Sequence, residues 1–260
     1  MKVSRGLILA CGLPLLAAGR ADAQSCTPIA AAPFTITAAG SYCLTANIQT
    51  PIASGAAIAV EADNVTINLA GFTLENTAGV STLAYGVKSW NRRGITVRNG
   101  TIAGFFLGIL LDTNDVTVSR DHVVEKMLVR NCTYTGIQLE GSNLILRDST
   151  IRDIGGPTGH HPNGVVICEN GNSGSVQAIN NVVDHIFGVI DEQSPDGMML
   201  ECLNTIAIGN RIRGVDDQAM AVRGGVCRDN VLQMVAQRPF EGVKNGAGCT
   251  LLGKSNFSFP

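Results

Sequence analysis

Residues 94–102, with the sequence GITVRNGTI, are one copy of a unit that recurs towards the C-terminus. Each copy has alternating apolar residues, a polar bend and one further apolar position. The later copies are MLVRNCTY at 127–134, LILRDSTI at 144–151, VQAINNVV at 176–183, IAIGNRI at 206–212 and VCRDNVL at 226–232. Short repeats of this kind are typical of solenoids, in which each repeat packs only against its neighbours. Because the apolar residues alternate with period two, the repeats predict coils of strands rather than of helices.

A glycine followed by an apolar residue marks the predicted start of each coil. The starts are Gly86-Val87, Gly108-Ile109, Gly136-Ile137, Gly164-Val165, Gly188-Val189, the variant Ala219-Met220, and Gly242-Val243. Side chains alternate along a strand, so the first and third residues after each start should point into the core and the second and fourth outwards. We interpret the glycines as supplying backbone freedom at a corner.

Residues 64–74, NVTINLAGFTL, are similar to the first coil of many exported β-helix repeat proteins. With the coils that follow, residues 57–253 resemble the right-handed parallel β-helix superfamily, which has the pectin-lyase-like fold. We therefore expect an all-β, single-stranded right-handed parallel β-helix (a solenoid) of about seven to eight coils over residues 54–260. Residues 24–53 lack the repeat and are expected to form an N-terminal cap over the exposed strand edge.

Residues 1–23 have the features of a secretory signal peptide. Lys2 and Arg5 precede an apolar run at 6–18, and Ala-Asp-Ala at 21–23 is a cleavage-site pattern. We therefore expect a secreted or periplasmic protein. No other segment approaches the length of a membrane span.

The predicted mature chain carries more acidic than basic side chains. Without Lys2, Arg5, Arg20 and Asp22, the 19 basic and 21 acidic residues become 16 and 20. An excess of negative charge argues against nucleic acid as a partner. The sequence leaves the oligomeric state open.

Seven cysteines follow the predicted cleavage site, and an exported chain can oxidise them. Cys26 and Cys43 would close a small N-terminal loop. Cys227 and Cys249 are separated by about one coil, so they could join neighbouring turns. The odd number leaves at least one thiol unpaired or shared with another chain.

Histidines and aspartates precede three consecutive predicted coil starts. Stacking of coils about 4.8 Å apart would bring them to one edge. β-Elimination or epimerisation of a uronate needs a base for the C5 proton and positive charge beside the carboxylate. The candidate catalytic residues are His161, His185, Arg223, His160 and Asp184. The alternative is that these residues belong to ordinary turns, which have the same composition.

The predicted outward positions supply candidates for ligand binding. In enzymes of the superfamily this face usually holds the saccharide, so the resemblance assigns substrate binding to Trp90, Lys88, Glu140 and Glu192. A solvated surface would have a similar composition. Calcium is the one cofactor that these residues suggest, and either of two sets of oxygen ligands could hold it: Asp112 with Glu140, or Asp216 and Asp217 with Asp184.

The resemblance implies an exported carbohydrate-active protein with a polysaccharide or glycan partner. The candidate residues favour a polysaccharide lyase or epimerase that acts on an acidic polysaccharide. The sequence lacks the Asp-Pro-His-Asp motif of alginate epimerases with this fold, and its Gly-His and Arg-Ile elements are in the wrong order for a polygalacturonase. A non-catalytic glycan-binding protein, structural scaffold or adhesin is therefore the alternative.

Overall fold

The computed structural model describes residues 26–115, 117–169, 174–190 and 193–233, and the backbone of three further strands. These residues form strands and connecting segments, with no helix in the described ranges. The strands in chain order are β1 (Thr27–Ile29), β2 (Phe34–Ile36), β3 (Gly40–Leu44), β4 (Ile48–Thr50), β5 (Ala56–Val60), β6 (Val65–Asn68), β7 (Thr73–Asn76), β8 (Tyr85–Trp90), β9 (Thr96–Ala103), β10 (Leu107–Asp112), β11 (Val123–Arg130), β12 (Thr135–Leu139), β13 (Leu144–Arg147), β14 (Thr150–Ile154), β15 (Asn163–Ile167), β16 (Ser175–Ile179), β17 (Val182–Ile186), β18 (Asp196–Leu200), β19 (Asn204–Ile208), β20 (Arg211–Val215), β21 (Gln218–Val222), β22 (Gly225–Arg228), β23 (Val231–Gln233), β24 (Lys244–Asn245), β25 (Cys249–Leu251) and β26 (Phe257–Phe259).

The strands stack as a parallel β-helix with three faces. The first sheet contains nine strands in the order β2-β5-β8-β10-β12-β15-β18-β21-β24. The other 17 strands form one continuous sheet, which bends within the long strands β9 and β11 at residues with positive φ, Asn99 (58°) and Lys126 (53°). We call its two parts the second face, with β6, β13, β16 and β19, and the third face, with β4, β7, β14, β17 and β20. The all-β parallel β-helix predicted from the repeats is confirmed.

The predicted inward positions are in the core. Val87, Ile109, Ile137 and Val165 are fully buried, and Val87 and Ile137 both lie in register with Ile109 on the neighbouring strand. Apolar side chains from all three faces meet along the axis of the solenoid and form one continuous cluster. The alternation of the sequence therefore assigns inside and outside correctly for these strands.

The glycines at the coil starts have a different role from the one we expected. A Cβ at Gly86, Gly108, Gly136 or Gly164 would lie only 2.4–2.6 Å from the carbonyl oxygen of the glycine in the next coil. None of these four has positive φ. Glycine is needed here because successive coils approach too closely for a side chain, and not because the backbone turns a corner.

One predicted coil start, Gly188-Val189, is wrong. The coil starts instead at Gly197, because Met198 pairs with Val165 of the preceding coil. Val189 lies in the loop between β17 and β18 and is 48% exposed. The side chain of Gln193 holds this loop, since its Oε1 accepts hydrogen bonds from the amides of Val189 and Ile190. The sequence Gly188-Val189 therefore matches the pattern of a coil start although it lies inside a long loop.

The N-terminal residues belong to the stack as well. β1 to β4 lie within 24–53, the predicted cap, and they pair in parallel register with strands of the same kind. Ile29, Ile36 and Leu44 are buried in the common core. This first turn explains why the first sheet has nine described strands where seven to eight coils were expected.

The structure contains two disulfides within the described residues. Cys26 bonds with Cys43, as the sequence predicted. Cys168 bonds with Cys202 on the next coil, a pair that the misplaced coil start concealed. Cys132 is a buried free thiol. The predicted Cys227–Cys249 pair lies outside the described residues because nothing is described of the Cys249 side chain.

Three buried asparagines form a ladder between the second and third faces. The Nδ2 atoms of Asn181, Asn210 and Asn230 donate to the carbonyl oxygens of Leu146, Ala178 and Ala207. The Oδ1 atom of Asn210 accepts from the amide of Asn181 at 3.0 Å, and the same pattern continues from Asn230 to Asn210 at 2.9 Å. The ladder thus satisfies buried backbone groups at each bend.

We predict that Asn210→Ala lowers the free energy of unfolding by roughly 2 to 4 kcal/mol, because it leaves the buried Ala178 carbonyl and Asn181 amide without partners. Chemical denaturation of the purified protein measures this change. Gln177→Ala is the matched control, since Gln177 is exposed in the neighbouring coil. Equal stability of the two variants would contradict the role of the ladder.

Candidate functional site

A cavity of about 380 Å³ lies on the outer side of the first sheet, where its strands begin. We call it the histidine cavity. Its described lining residues are Tyr134, Gly159, His160, His161, Asn163, Glu169, Ser194, Asp196 and Met199. Asn163 and Asp196 begin β15 and β18 and lie in register, so the stacking of these two coils sets the floor of the cavity. The loops before the two strands supply the walls.

An aromatic row fixes the position of His160. The rings of Phe106 and Tyr134 stack with centroids 4.9 Å apart, and the His160 ring lies 4.9 Å from Tyr134. Backbone bonds between coils support the row, because the amide of Tyr134 donates to the Phe106 carbonyl at 2.9 Å. Burial raises the pKa of Tyr134, so its phenol stays protonated near neutral pH. Tyr134 is therefore a hydrogen-bond donor at the edge of the cavity.

A backbone hydrogen bond orients the ring of His161. The amide of Ser194 donates to His161 Nδ1 at 2.7 Å. Because Nδ1 accepts, the neutral ring carries its proton on Nε2. Gln193 joins the two loops, since its Nε2 donates to the carbonyl oxygens of Gly156 and His160. The loop between β17 and β18, in which Gly188 was predicted to start a coil, therefore positions both histidines.

Four carboxyl groups cluster near the opposite edge of the first sheet, where its strands end: Asp112, Glu140, Glu169 and Glu201. We call this set the acid cluster. Glu140 is fully buried, and its Oε1 accepts a hydrogen bond from the amide of Glu169 at 2.7 Å. Burial raises the pKa of Glu140 to about 7, and the charges of the other three acids add to the rise. The pKa values of Asp112 and Glu169 are also raised, in both cases mainly by burial.

Glu169 connects the acid cluster with the histidine cavity. Its amide binds Glu140, and its carboxylate accepts a hydrogen bond from Gln138 at 3.0 Å. Glu169 also lines the cavity. A ligand in the cavity would therefore lie beside one member of the acid cluster.

We predict that Glu140 makes the protein less stable as the pH rises from about 4.5 to about 7. Over this interval the folded state holds the Glu140 proton more tightly than the unfolded chain, in which the carboxyl group has its ordinary pKa of 4.5. Stability is therefore greatest below this interval and falls through it. Glu140→Gln should flatten the dependence and raise the unfolding temperature above pH 7, because the amide cannot ionise.

Thermal unfolding across this pH range tests the prediction. Glu61→Gln is a suitable control because Glu61 follows β5 on the same sheet and is exposed. An E140Q profile that matches the wild-type profile would contradict the assignment.

The structure brings together only two of the predicted catalytic residues, His160 and His161. His185 lies on the third face, where its Nδ1 contacts Asp153 Oδ1 at 2.9 Å and its ring stacks on Phe187. Asp184 is on the same strand and pairs with Arg213 at 2.7 Å. Because β17 belongs to the third face and not to the first sheet, the prediction that His185 and Asp184 share an edge with His161 is wrong.

Arg223 follows β21 at the C-terminal edge of the first sheet and is exposed. The two histidines lie at the N-terminal edge. The strands between these edges are five residues long, which is about 16 Å. Unlike Glu169 at the same edge, Arg223 is not among the described residues that line the histidine cavity.

Trp90 and Lys88, two of the predicted substrate-binding residues, lie on the outer face of the first sheet, outside the described lining of the cavity. Trp90 is 47% exposed and lies in register with Asp112. Lys88 places its Nζ 4.4 Å from the centre of the Tyr85 ring. Glu140 is buried in the acid cluster. Glu192 lies outside the described residues, and Glu201 occupies the position that was assigned to it, because Leu200 pairs with Val222 immediately before Arg223.

Apart from Asp184, the two predicted sets of calcium ligands lie at opposite edges of the first sheet. Asp112 ends β10 at the C-terminal edge of the first sheet, whereas Asp216 and Asp217 precede β21 at its N-terminal edge. Asp216 Oδ2 accepts a hydrogen bond from the amide of Gly188 at 3.0 Å. No group of three or more His, Cys, Asp or Glu side chains in the described ranges could hold a metal ion. Asp184, which was predicted to join Asp216 and Asp217, pairs instead with Arg213 on the third face.

Sequence reasoning missed Tyr134, Asn163, Asp196 and Glu169. Tyr134 and Asn163 directly precede Thr135 and Gly164 at the starts of two coils, so the same alignment that located the histidines could have found them. Asp196 precedes the true start at Gly197 and was hidden by the error at Gly188. Glu169 follows Cys168, and only the folded loop shows that it reaches the cavity.

No protein-family model matches the sequence, and the search of curated proteins gave no match. Among solved structures, the chain is similar to a mutant of the periplasmic alginate epimerase AlgG, with a TM-score of 0.44 and 15% identity. The match covers 84% of this chain, and the chain spans 60% of the length of that protein. The strand ladders described above define the parallel β-helix independently of this similarity. The part of the chain that the structure describes contains no helix long and apolar enough to cross a membrane.

Proposed function

We propose that the protein is an exported carbohydrate-active β-helix protein, and that it acts as a lyase or epimerase on an acidic polysaccharide. The observation that carries this proposal is the histidine cavity, which combines two histidines and a protonated tyrosine on the outer side of the first sheet. Its volume of about 380 Å³ suits a small part of a saccharide chain. Two disulfides agree with an oxidising compartment, secreted or periplasmic.

The two histidines have different proposed roles in proton transfer. His160 is exposed and makes ring contacts, so its imidazole can take the C5 proton of a uronate as a base. His161 holds its proton on Nε2 and can donate it. In β-elimination this proton would go to the departing O4 as the C4–O4 bond breaks. In epimerisation a proton would instead return to C5 from the opposite side.

A second candidate function is non-catalytic glycan binding. The described lining of the histidine cavity contains the carboxyl groups of Glu169 and Asp196 but no arginine or lysine. A lyase or epimerase must neutralise the carboxylate next to C5, which two acids do not do. Asn163 and Tyr134 could hydrogen-bond that carboxylate, whereas a binding protein for neutral sugars would need no cation.

We predict that His160→Ala and His161→Ala each lower turnover about a hundredfold or more, which is the low end of general acid–base contributions. Ultraviolet absorbance detects the unsaturated uronates of a lyase, and NMR detects inversion at C5. The substrates to screen are pectate, alginate and glycosaminoglycans. His185→Ala is the matched control, because that histidine lies on the third face.

Full activity in both cavity variants would exclude the histidines from the reaction. If no substrate reacts but an oligosaccharide binds, glycan binding becomes the function of the cavity.

Calcium remains a prediction from the sequence alone, and no step of the reaction is assigned to it. If the acidic side chains bind calcium in the folded state, the ion should raise the unfolding temperature relative to a chelator by mass action. An equal midpoint in both conditions would remove calcium from the proposal.

A further inference from the structure

A second cavity, of about 500 Å³, lies on the third face near the N-terminal end of the solenoid. Its described lining residues are Asn47, Ile48, Gln49, Thr73, Glu75 and Arg130. They come from β7, β11, β4 and the residue before β4, so no single loop forms the cavity. We call it the third-face groove. Nothing in the proposed reaction uses it.

One position in the column of long side chains at this groove is an alanine. Register pairs Gln49 with Glu75, Glu75 with Ala103, and Ala103 with Arg130. These residues therefore follow one another along the outside of four coils. The short side chain of Ala103, which is fully buried, thus separates the longer side chains of Glu75 and Arg130.

Arg130 brings a positive charge to this groove that no described ion pair engages. It takes part in none of the ion pairs found among the described residues. The arginines that follow it in the column are neutralised, because Arg152 contacts Asp153 and Arg213 contacts Asp184. Arg130 is also half-buried, which weakens the screening of its charge by solvent. A guanidinium in this state is suited to bidentate binding of an anionic group.

The other walls of the groove are hydrogen-bonding side chains held in fixed positions. Gln49 Nε2 donates to Glu75 Oε2 at 2.9 Å. Asn47 Oδ1 accepts a hydrogen bond from the amide of Thr73, also at 2.9 Å. The Nδ2 group of Asn47 can therefore donate a hydrogen bond to a ligand. Carboxylate, amide and hydroxyl groups of this kind bind sugar hydroxyls. An anionic sugar can therefore place its charge on Arg130 and its hydroxyls on the remaining lining residues.

We propose that the third-face groove is a second saccharide-binding site, which takes an acidic sugar through its carboxylate or sulfate group. The ligand class rests on the proposed carbohydrate function, but the site does not depend on catalysis in the histidine cavity. A polysaccharide held on the third face would remain attached while another part of the chain occupies the first sheet. The two sites would thereby raise the effective concentration of substrate at each other.

Isothermal titration of a uronate oligosaccharide tests the proposal in the double variant His160→Ala/His161→Ala, in which the first cavity is disabled. We expect binding to persist there and to weaken about tenfold or more when Arg130→Gln is added. Arg130→Lys keeps the charge but loses the planar fork, so its affinity should be intermediate. Arg213→Gln is the control, because this arginine of the same face already has an acidic partner.

Two further ligands identify the recognised group. The carboxyl-reduced oligosaccharide of the same length should bind about tenfold more weakly or worse, because it has no anion for Arg130. A sulfated oligosaccharide of that length shows which anion is preferred, and tight binding of either anion supports the site.

Equal affinity of the Arg130→Gln variant and its parent would overturn the proposal, as would equal affinity for the reduced oligosaccharide or no binding at all. Unchanged unfolding temperatures establish that the variants are folded. If Arg130→Gln abolishes binding but the wild-type protein turns over no substrate, the proposed reaction fails while the groove stands.

Discussion

The close stacking of successive coils is the constraint on which the rest of the structure depends. At the start of β8, β10, β12, β15 and β18 in the first sheet, a Cβ would lie only 2.4–2.6 Å from the carbonyl oxygen of the next coil. Glycine occupies these five positions, so a shift of register there would press a side chain against that carbonyl. Once register is fixed, every outward side chain lies next to its equivalents about 4.8 Å above and below it. The chemistry of the surface then follows from which residues occupy one column.

Columns on the other two faces place opposite charges together. Glu125 pairs with Arg147 at 2.6 Å on the second face, and Asp184 pairs with Arg213 at 2.7 Å on the third. The C-terminal edge of the first sheet does the reverse, since Asp112 and Glu140 occupy neighbouring positions and Glu201 lies one coil beyond the intervening Cys168. Like charges at this spacing are destabilising. Burial and mutual repulsion raise the pKa of Glu140, and perturbed groups of this kind concentrate at functional sites.

The sequence predicts a feature well when that feature depends on local alternation. The class of fold, the inward positions of β8 to β15 and the Cys26–Cys43 disulfide were all accessible in this way. The site was less accessible, because a coil assignment depends on loop length, which no local pattern specifies. The loop between β17 and β18 imitated one coil start at Gly188. That single error moved Glu192 into the place of Glu201, hid the Cys168–Cys202 disulfide and put His185 on the wrong face.

The first and third faces offer an acidic ligand different electrostatic conditions. In the histidine cavity it meets Glu169, whose pKa is raised, so acidification removes charge from the cavity wall. In the third-face groove it meets the guanidinium of Arg130 and the carboxyl group of Glu75. Protonation of Glu169 should therefore strengthen binding of the acidic ligand to the first site. A polysaccharide bound to both faces would keep its contact with Arg130 while protonation of Glu169 favours its entry into the cavity.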